Sequence, residues 1–467
     1  MPMALAARKP QTSFPQIGRP TCRRRRSTFS TAPPMTTTSG PSTRKHWKNA
    51  SRPGSRSNPG MLVGTKPAMK RRQRGGMLAL LTAPLILFVV ILFLWPVARF
   101  LALAVDNSDF SNNLPRTIAA LAGWNADSGL PGEPVFAALV EDLADARRAG
   151  KEGVLAQLVN QRVVGSRFLV IKTAKDAADG KLDMRPVRDE VLAKQAGWKN
   201  IDLWQVIARQ QSARTDYYLL ASLDLKRGAD NSIEAVSADR AIFVDALLRT
   251  IWISIVVTVI CAVLAVPLAQ AIVSAPLAWS KLMFALILFP LWTSLLVRTV
   301  IWIIVLQKNG PVNSTLLGLG IVSEPLDLIY TRFSLYLAMV QVLLPMMVLS
   351  VVAVMRRVPT TYMRAALSLG APWLTAWRRV QLPLILPGIL SGGAIVFVFA
   401  LGYYITPTLV GGPTDQMISS YIAFYTNSTL NWGMGAALSL QLLMILVLFA
   451  LLFWTASVLF RRKAHVA

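Results

Sequence analysis

Long apolar runs separated by short polar connections fill most of this chain. Six runs are long enough for a helix to cross a hydrocarbon core, which takes about 20 apolar residues. They lie near 78–105, 245–273, 282–306, 333–355, 385–410 and 435–460. All are built from runs drawn from Leu, Ile, Val and Phe with embedded Gly, Pro or Trp, as membrane helices tolerate. The runs are continuous rather than alternating in polarity, which excludes a closed barrel of strands. The pattern predicts an all-α polytopic membrane protein with six transmembrane helices. One polar stretch, 106–244, interrupts the series between the first and second helices. It reads as a mixed α+β extracytoplasmic insertion, with amphipathic helices over 134–160 and 187–211 and strand candidates at 167–172 and 217–225. About 140 residues suffice there for one small domain.

The connection at 356–384 has more local structure than a simple turn. Pro359-Thr360-Thr361 predicts a helix start with a hydroxyl cap, and 362–369 makes about two turns. Gly370 can adopt the left-handed conformation that closes such a helix. Ala371-Pro372 starts a second short helix, which Pro383 is expected to end before the fifth span. Ala365 and Ala366 form a small-residue face that lets another chain approach closely. The plainer alternative is an interfacial connector with Trp373 and Trp377 at headgroup level. On these residues alone the two readings stand level.

Charge fixes the expected orientation. Apolar residues make up 54% of the chain, yet its formal net charge is +26. Residues 1–77 hold seventeen Lys/Arg and no Asp or Glu. Every acidic residue lies within 106–245 or at Glu324, Asp327 and Asp415, all on one side under a six-span topology. The short segments of the opposite side are basic: Lys281, then Arg356, Arg357, Arg364, Arg378 and Arg379, then Arg461, Arg462 and Lys463. The positive-inside rule puts that side, with both termini, in the cytoplasm. This distribution marks membrane topology and lipid contact, with no nucleic-acid partner. Residues 1–70 read as a disordered basic tail rich in Ser, Thr, Pro and Arg, or as the product of a miscalled start, since Met61, Met69 or Met77 would begin a shorter protein. Residues 71–105 then form the first span with its basic flank, 245–460 a core of five further spans, and 461–467 a cytoplasmic tail.

The chemistry-bearing residues are sparse. Cys22 and Cys261 form no framework, His46 and His465 sit near the ends, and the insertion has neither residue type. No GxxxxGK[ST] loop is present to cradle a nucleotide. Neither a catalytic constellation nor a cofactor or metal site is expected.

The spacing within 356–384 resembles the EAA loop of ABC importer permeases: Glu-Ala-Ala, three residues, Gly, nine residues, Ile, any residue, Leu-Pro. Ala365, Ala366, Gly370, Leu382 and Pro383 match, Val380 stands for Ile, and Arg364 replaces the leading Glu. Over roughly 245–460 the chain resembles permeases of the spermidine/putrescine type. The carrying segments are the run from Pro290 to Thr299 with Trp302, Asn309-Gly310-Pro311 through Asn313, Thr406-Pro407 through Gly411-Gly412-Pro413, and Asn431-Trp432-Gly433. The resemblance implies a type I importer permease bundle in a bacterial inner membrane and alternating access driven by ATP hydrolysis in a separate subunit. It also implies three partners: a cytoplasmic ATP-binding subunit docked on the loop, a second permease, more readily a different chain than a copy, and a periplasmic substrate-binding protein. The Arg364 reversal puts the usual electrostatic contact of that docking in question. The 106–244 insertion is longer than the corresponding loop of the family.

Three residues are candidates for the translocation path. Arg298 is the ionisable residue best placed inside a span, though its position also suits snorkelling or backbone pairing. Tyr403 and Tyr404, beside Gly402, can face a cation through their rings or simply pack. The expected spans contain no carboxylate apart from Asp245 at the start of the second. A polyamine path therefore needs acidic groups from a second permease, aromatic faces or carbonyl ends of broken helices, unless an external binding protein supplies the selectivity. Two rival readings remain: an ion-driven secondary transporter, which calls for intramembrane carboxylates and inverted repeats, and a membrane-anchored sensor or scaffold built on 106–244.

Overall fold

The computed structural model describes residues 82–464, apart from 183–185 and 229–230. The expected basic tail at 1–70 lies outside the described residues. Among these, six helical segments are long and apolar enough to cross a membrane. The first, Thr82–Ala102 (α1), is apolar and almost wholly exposed in the isolated chain. It widens into a π turn at Val90–Leu94, and a second such turn occupies Trp377–Gln381. Each ends two residues before a proline, Pro96 and Pro383 respectively. Proline lacks an N–H and its ring displaces the carbonyl four residues back, so the hydrogen-bond ladder slips by one residue.

The insertion folds from short helices: Ser108–Asn113 (α2), Pro115–Ala120 (α3), Glu133–Arg148 (α4), Glu152–Arg162 (α5), Arg167–Ala178 (α6), Val187–Lys194 (α7), Ile201–Ala208 (α8) and Tyr217–Ser222 (α9). One antiparallel hairpin, Leu225–Arg227 (β1) with Ile233–Ala235 (β2), follows them. The expected α+β character is thus reduced to that hairpin. The strand expected at 167–172 is part of α6, because Val170, Thr173 and Ala174 are buried at helical spacing. The strand expected at 217–225 is mostly α9, which buries Tyr218 and Ser222 four residues apart; only its last residue joins β1. The helix expected over 134–160 breaks at Gly150, whose φ of 68° closes α4. The one expected over 187–211 breaks at Gln195 and again at Asn200, whose side chain caps α8 through Asp202 N.

This domain has its own core, in which the Trp204 ring lies 4.8 Å from Phe136 and 5.2 Å from Trp198. The two indoles are satisfied internally: Trp198 Nε1 donates to Thr173 Oγ1 and Trp204 Nε1 to Trp198 O. Buried Asp142 accepts from Thr117 N and Oγ1, both at 2.8 Å, at the start of α3. Burial raises the pKa of this carboxyl, although the Thr117 donors and Arg116 pull the other way.

The membrane core follows: Phe243–Ser274 (α10), Leu277–Leu288 (α11), Leu295–Leu306 (α12), Pro311–Gly318 (α13) and Arg332–Met355 (α14), then Thr361–Ser368 (α15), Trp373–Ala376 (α16), Leu382–Leu401 (α17), Ile405–Val410 (α18), Ile418–Asn427 (α19) and Trp432–Ala464 (α20). Helices α10, α14 and α17 share a core that includes Val257, Cys261, Met347, Val351 and Val396. Gly388 and Gly392 of α17 make close approach to α14 possible: a Cβ on Gly388 would lie 2.9 Å from Val354 Cβ, and one on Gly392 2.8 Å from Met347 Sδ. Small residues at this four-residue spacing let membrane helices touch backbone to backbone.

Two expected spans are redrawn. The run at 282–306 is two helices: Pro290 falls in a 3₁₀ turn, Thr293 and Ser294 are extended, and α12 begins afresh. Each twelve-residue half is about 18 Å long, short of the roughly 30 Å core. By length and composition the third candidate span is Leu295–Gly318. The fifth shifts toward the N-terminus, to Trp373–Leu401, because the helix runs through Pro383 and stops at Gly402.

Asp224 joins insertion and core. Held at φ 56° and buried, its carboxylate accepts from Ile242 N, Phe243 N and Val244 N at 2.7–3.1 Å, capping α10. Asp224→Ala strands three donors at that helix start. The expected cost is about 1–3 kcal/mol, read as a lower unfolding temperature of the detergent-solubilised protein.

Candidate functional site

The 356–384 connection is a helix, a tight turn and a second helix that merges into the fifth span. Helix α15 closes with Gly370 at φ 84°. Gly370 N donates to Leu367 O and Ala371 N to Ala366 O, so the final carbonyls are satisfied around a left-handed residue. The hydroxyl cap expected at Thr360 does not form, since Thr360 itself has helical backbone angles. Nor does Pro383 end the second helix: α16 passes through the π turn into α17, and Pro383 occupies the first turn of α17.

One side of the connection is anchored. Val358 and Leu382 pack against the membrane core, Gln381 Nε2 donates to Gln270 Oε1 of α10, and Arg356 lies over the Phe284 ring. The other side is bare and apolar: Tyr362, Leu367, Trp373 and Leu374 are exposed, and Leu369 is 89% exposed. Trp373 and Trp377 stack at 6.5 Å and 21°. Arg364 and Ala365 are exposed and Ala366 is half-buried, while Val380 is half-buried at the π turn. The structure thus gathers Arg364, Ala365, Ala366 and Gly370 on one protruding turn, with Val380, Leu382 and Pro383 at its root.

A second polar cluster forms where two helices are broken. Arg298, in the first turns of α12, donates from Nη2 to Thr293 O at 3.0 Å, while its Nε and Nη1 are buried without a partner. Thr299 Oγ1 lies 3.4 Å from Thr406 Oγ1 of α18. Tyr403 packs on the core with its hydroxyl buried, within reach of Thr406 and within electrostatic reach of Arg298. Ser419 Oγ donates to Tyr403 O at 2.8 Å. Trp302 Nε1 donates to Gln341 Oε1 of α14 at 2.6 Å. The structure therefore brings Arg298 and Tyr403 into one neighbourhood, while Tyr404 is exposed and stands apart.

Gln341 was not legible as a candidate. An isolated amide in an apolar run is the available signal, and it gains meaning only from Trp302 opposite. The loop tie at Asp415 was equally hidden. Its buried carboxylate accepts from Arg332 Nε at 2.8 Å, and Ser334 Oγ donates to Val410 O, so the start of α14 holds the end of α18. Among the described residues no group of three or more His, Cys, Asp or Glu gathers to hold a metal.

No family model matches the chain. Among curated proteins, the spermidine/putrescine transport system permease protein PotB of Escherichia coli K12 is 31% identical over 185 residues, which is 40% of this chain and 67% of that protein. The chain belongs to the spermidine/putrescine-type ABC importer permeases. PotB of Haemophilus influenzae is 29% identical over 188 residues, covering 40% of this chain and 66% of that one. A bacterial alginate-import ABC transporter of known structure aligns at 18% identity and a TM-score of 0.41, over 47% of this chain and 79% of its own. This permease is a multi-pass inner-membrane protein and the membrane-spanning subunit of an ABC importer.

Proposed function

We propose that this permease moves polyamines inward, with ATP hydrolysed by a separate cytoplasmic subunit that docks on the exposed turn at 356–384. Both termini and that turn face the cytoplasm, and the 106–244 insertion faces outward, where a periplasmic binding protein delivers the solute. A second, non-identical permease completes the path along which Arg298 and Tyr403 lie. The observation that carries the solute class is the 31% identity to a protein named for spermidine and putrescine. The docking reading is supported by the apolar turn, whose large side chains are exposed among the described residues. The Arg364 charge, exposed there, calls for an acidic or aromatic contact in place of the one a Glu would make. The experiment is purification of the tagged chain from its native membrane in mild detergent. An ATP-binding subunit recovered with it supports the reading, and its absence removes the docking site.

Arg298 supplies a test of solute charge. A guanidinium near the path repels a polycation, so Arg298→Gln leaves the KM for putrescine unchanged or lower. A KM for putrescine raised by about tenfold or more would contradict a purely repulsive guanidinium and mean that Arg298 holds the shape of the path.

A further inference from the structure

One short helix between the last two spans is gripped at its two ends by different parts of the molecule. Helix α19 has ten residues and is about 15 Å long. Its first turn is tied to the membrane core and to the intramembrane cluster. Ile418 N donates to buried Thr250 Oγ1 of α10 at 2.8 Å, and Ser419 Oγ donates to Tyr403 O at 2.8 Å. Ser420 Oγ lies 3.0 Å from Thr408 Oγ1 of α18. The far end runs into the turn 428–431, which leads to α20. Asn431 N closes that turn on Tyr425 O at 2.8 Å, and Leu430 within it sits at φ 53°. A leucine stays in the left-handed region only where its surroundings hold it there.

The insertion supplies that hold. Its helix α5 seats Leu155, Ala156 and Val159 in the insertion's own core. From the same helix Gln157 Nε2 donates to Thr429 O in the turn. One helical turn later, Gln161 O accepts from the Tyr217 hydroxyl at 2.9 Å. Arg162 lies against Tyr217 and Tyr218 of α9, its guanidinium 5.0 and 5.6 Å from the ring centroids. Neutral groups fix this cation. Nη2 donates to Asn107 Oδ1 at 2.9 Å and Nη1 to Leu158 O at 3.1 Å, while Nε is buried without a partner. Tyr218 packs so tightly over Gly433, the second residue of α20, that a Cβ there would run into its ring. Both tyrosines share a cluster with Phe243 of α10 and with Tyr421 and Tyr425 of α19.

Energetic coupling between two sites requires an element whose position both of them bias. Helix α19 meets that requirement. Helix α5 acts on its far end through Gln157 and, by way of the tyrosines, through Arg162. The Tyr403 segment and α10 act on its near end. A continuous helix cannot shorten to absorb a displacement, so movement of α5 reaches Ser419 unless the turn at Leu430 gives way. We propose that α19 is a lever that carries movement of the insertion to the Tyr403 segment of the path. The load on the insertion is the docked binding protein, an identification that rests on the importer reading above. The lever itself rests on the contacts.

The test compares wild type with Gln157→Leu and Arg162→Met in the assembled importer in lipid nanodiscs. Gln157→Leu removes one tie and keeps the buried face of α5, so it decides the matter even where Arg162→Met fails to fold. The first readout is backbone hydrogen exchange, with α14 as the reference for general loosening. Exchange at 418–420 that is faster by about fivefold or more in Gln157→Leu is expected, with α14 and the unfolding temperature unchanged. A rise confined to 428–431 overturns the lever, as does unchanged exchange throughout. The second readout is ATP hydrolysis with and without putrescine-loaded binding protein. Stimulation is expected to fall by about fivefold or more in the variants, while the unstimulated rate and the affinity for the binding protein stay the same. Full stimulation in a variant with altered exchange overturns the lever's role in transmission. Lost affinity does so too, since α5 would then serve docking. Wild type that shows no stimulation at all removes the importer reading, and the exchange result still decides the lever.

Discussion

Gly370→Val is expected to release the ATP-binding subunit from this permease and to lower ATP-driven uptake by more than about tenfold. Gly370 sits at φ 84°, where an L-residue suffers a clash between Cβ and its own backbone, and a β-branched residue suffers most. An added Cβ would meet nothing else within 4 Å, so the penalty is purely conformational, about 1–3 kcal/mol. The chain can avoid it only by opening the turn, breaking the Gly370 N–Leu367 O and Ala371 N–Ala366 O bonds. That moves Leu369 and Trp373, the exposed groups of the proposed docking turn. Gly370→Asn, which tolerates the left-handed region, is expected to keep most of the binding. Co-purification of the ATP-binding subunit with each variant checks the pair. Loss in both, with unchanged unfolding temperatures, would shift the cause from backbone conformation to the glycine surface itself.

Gly392→Leu is expected to have the largest effect on stability. The position faces α14 so closely that a Cβ alone would lie 2.8 Å from Met347 Sδ and 2.9 Å from Ser350 Cβ. A leucine adds three further carbons where no space exists. Helices α14 and α17 must separate, and the cluster of Val351, Met347 and Val396 loses contact with them. Overpacking of this kind costs about 1–3 kcal/mol in ordinary cores, and here it falls on a helix contact that cannot slide without moving the 356–384 turn. The expected readout is a large fall in monodisperse protein after detergent extraction, with a lower unfolding temperature for what remains. Gly393→Leu is the control. Its Cβ would be 3.5 Å from Thr258 Cγ2, an ordinary contact, so a much smaller loss is expected.

Much of this architecture was legible because burial in a membrane leaves a coarse signal. Runs of some twenty apolar residues placed four of the six candidate helices to within a few residues; the third and fifth, where proline intervened, are redrawn. Proline was read as a stop at 383, yet the helix absorbs it by widening into the π turn at Trp377–Gln381. At 290, by contrast, a real break was missed, because apolar residues continue on both sides of it. Hydropathy cannot report a bend that keeps the same composition. The turn at Gly370 was readable because one residue type serves one backbone conformation. The insertion was less so: Arg167–Ala178 carries β-branched residues in a short apolar run, and only tertiary packing of Val170 and Ala174 decided for helix.

The intramembrane cluster divides in the same way. Arg298 announced itself, since a guanidinium in an apolar run has few uses. Gln341, Thr406 and Ser419 did not, because hydroxyls and lone amides are common in membrane helices and their partners lie 39, 107 and 16 residues away in sequence. The contact between the first and last spans was also hidden. Phe100 and Trp432 lie far apart in sequence and meet, with ring centroids 6.3 Å apart, only because α1 and α20 lie side by side.

The most direct test of the account is ATP-dependent uptake of labelled putrescine into proteoliposomes holding the importer purified through this chain, with its binding protein added. Uptake that requires ATP and is competed by unlabelled spermidine but not by sulfate is the expected result. A complex that hydrolyses ATP but leaves putrescine outside would contradict the proposed solute.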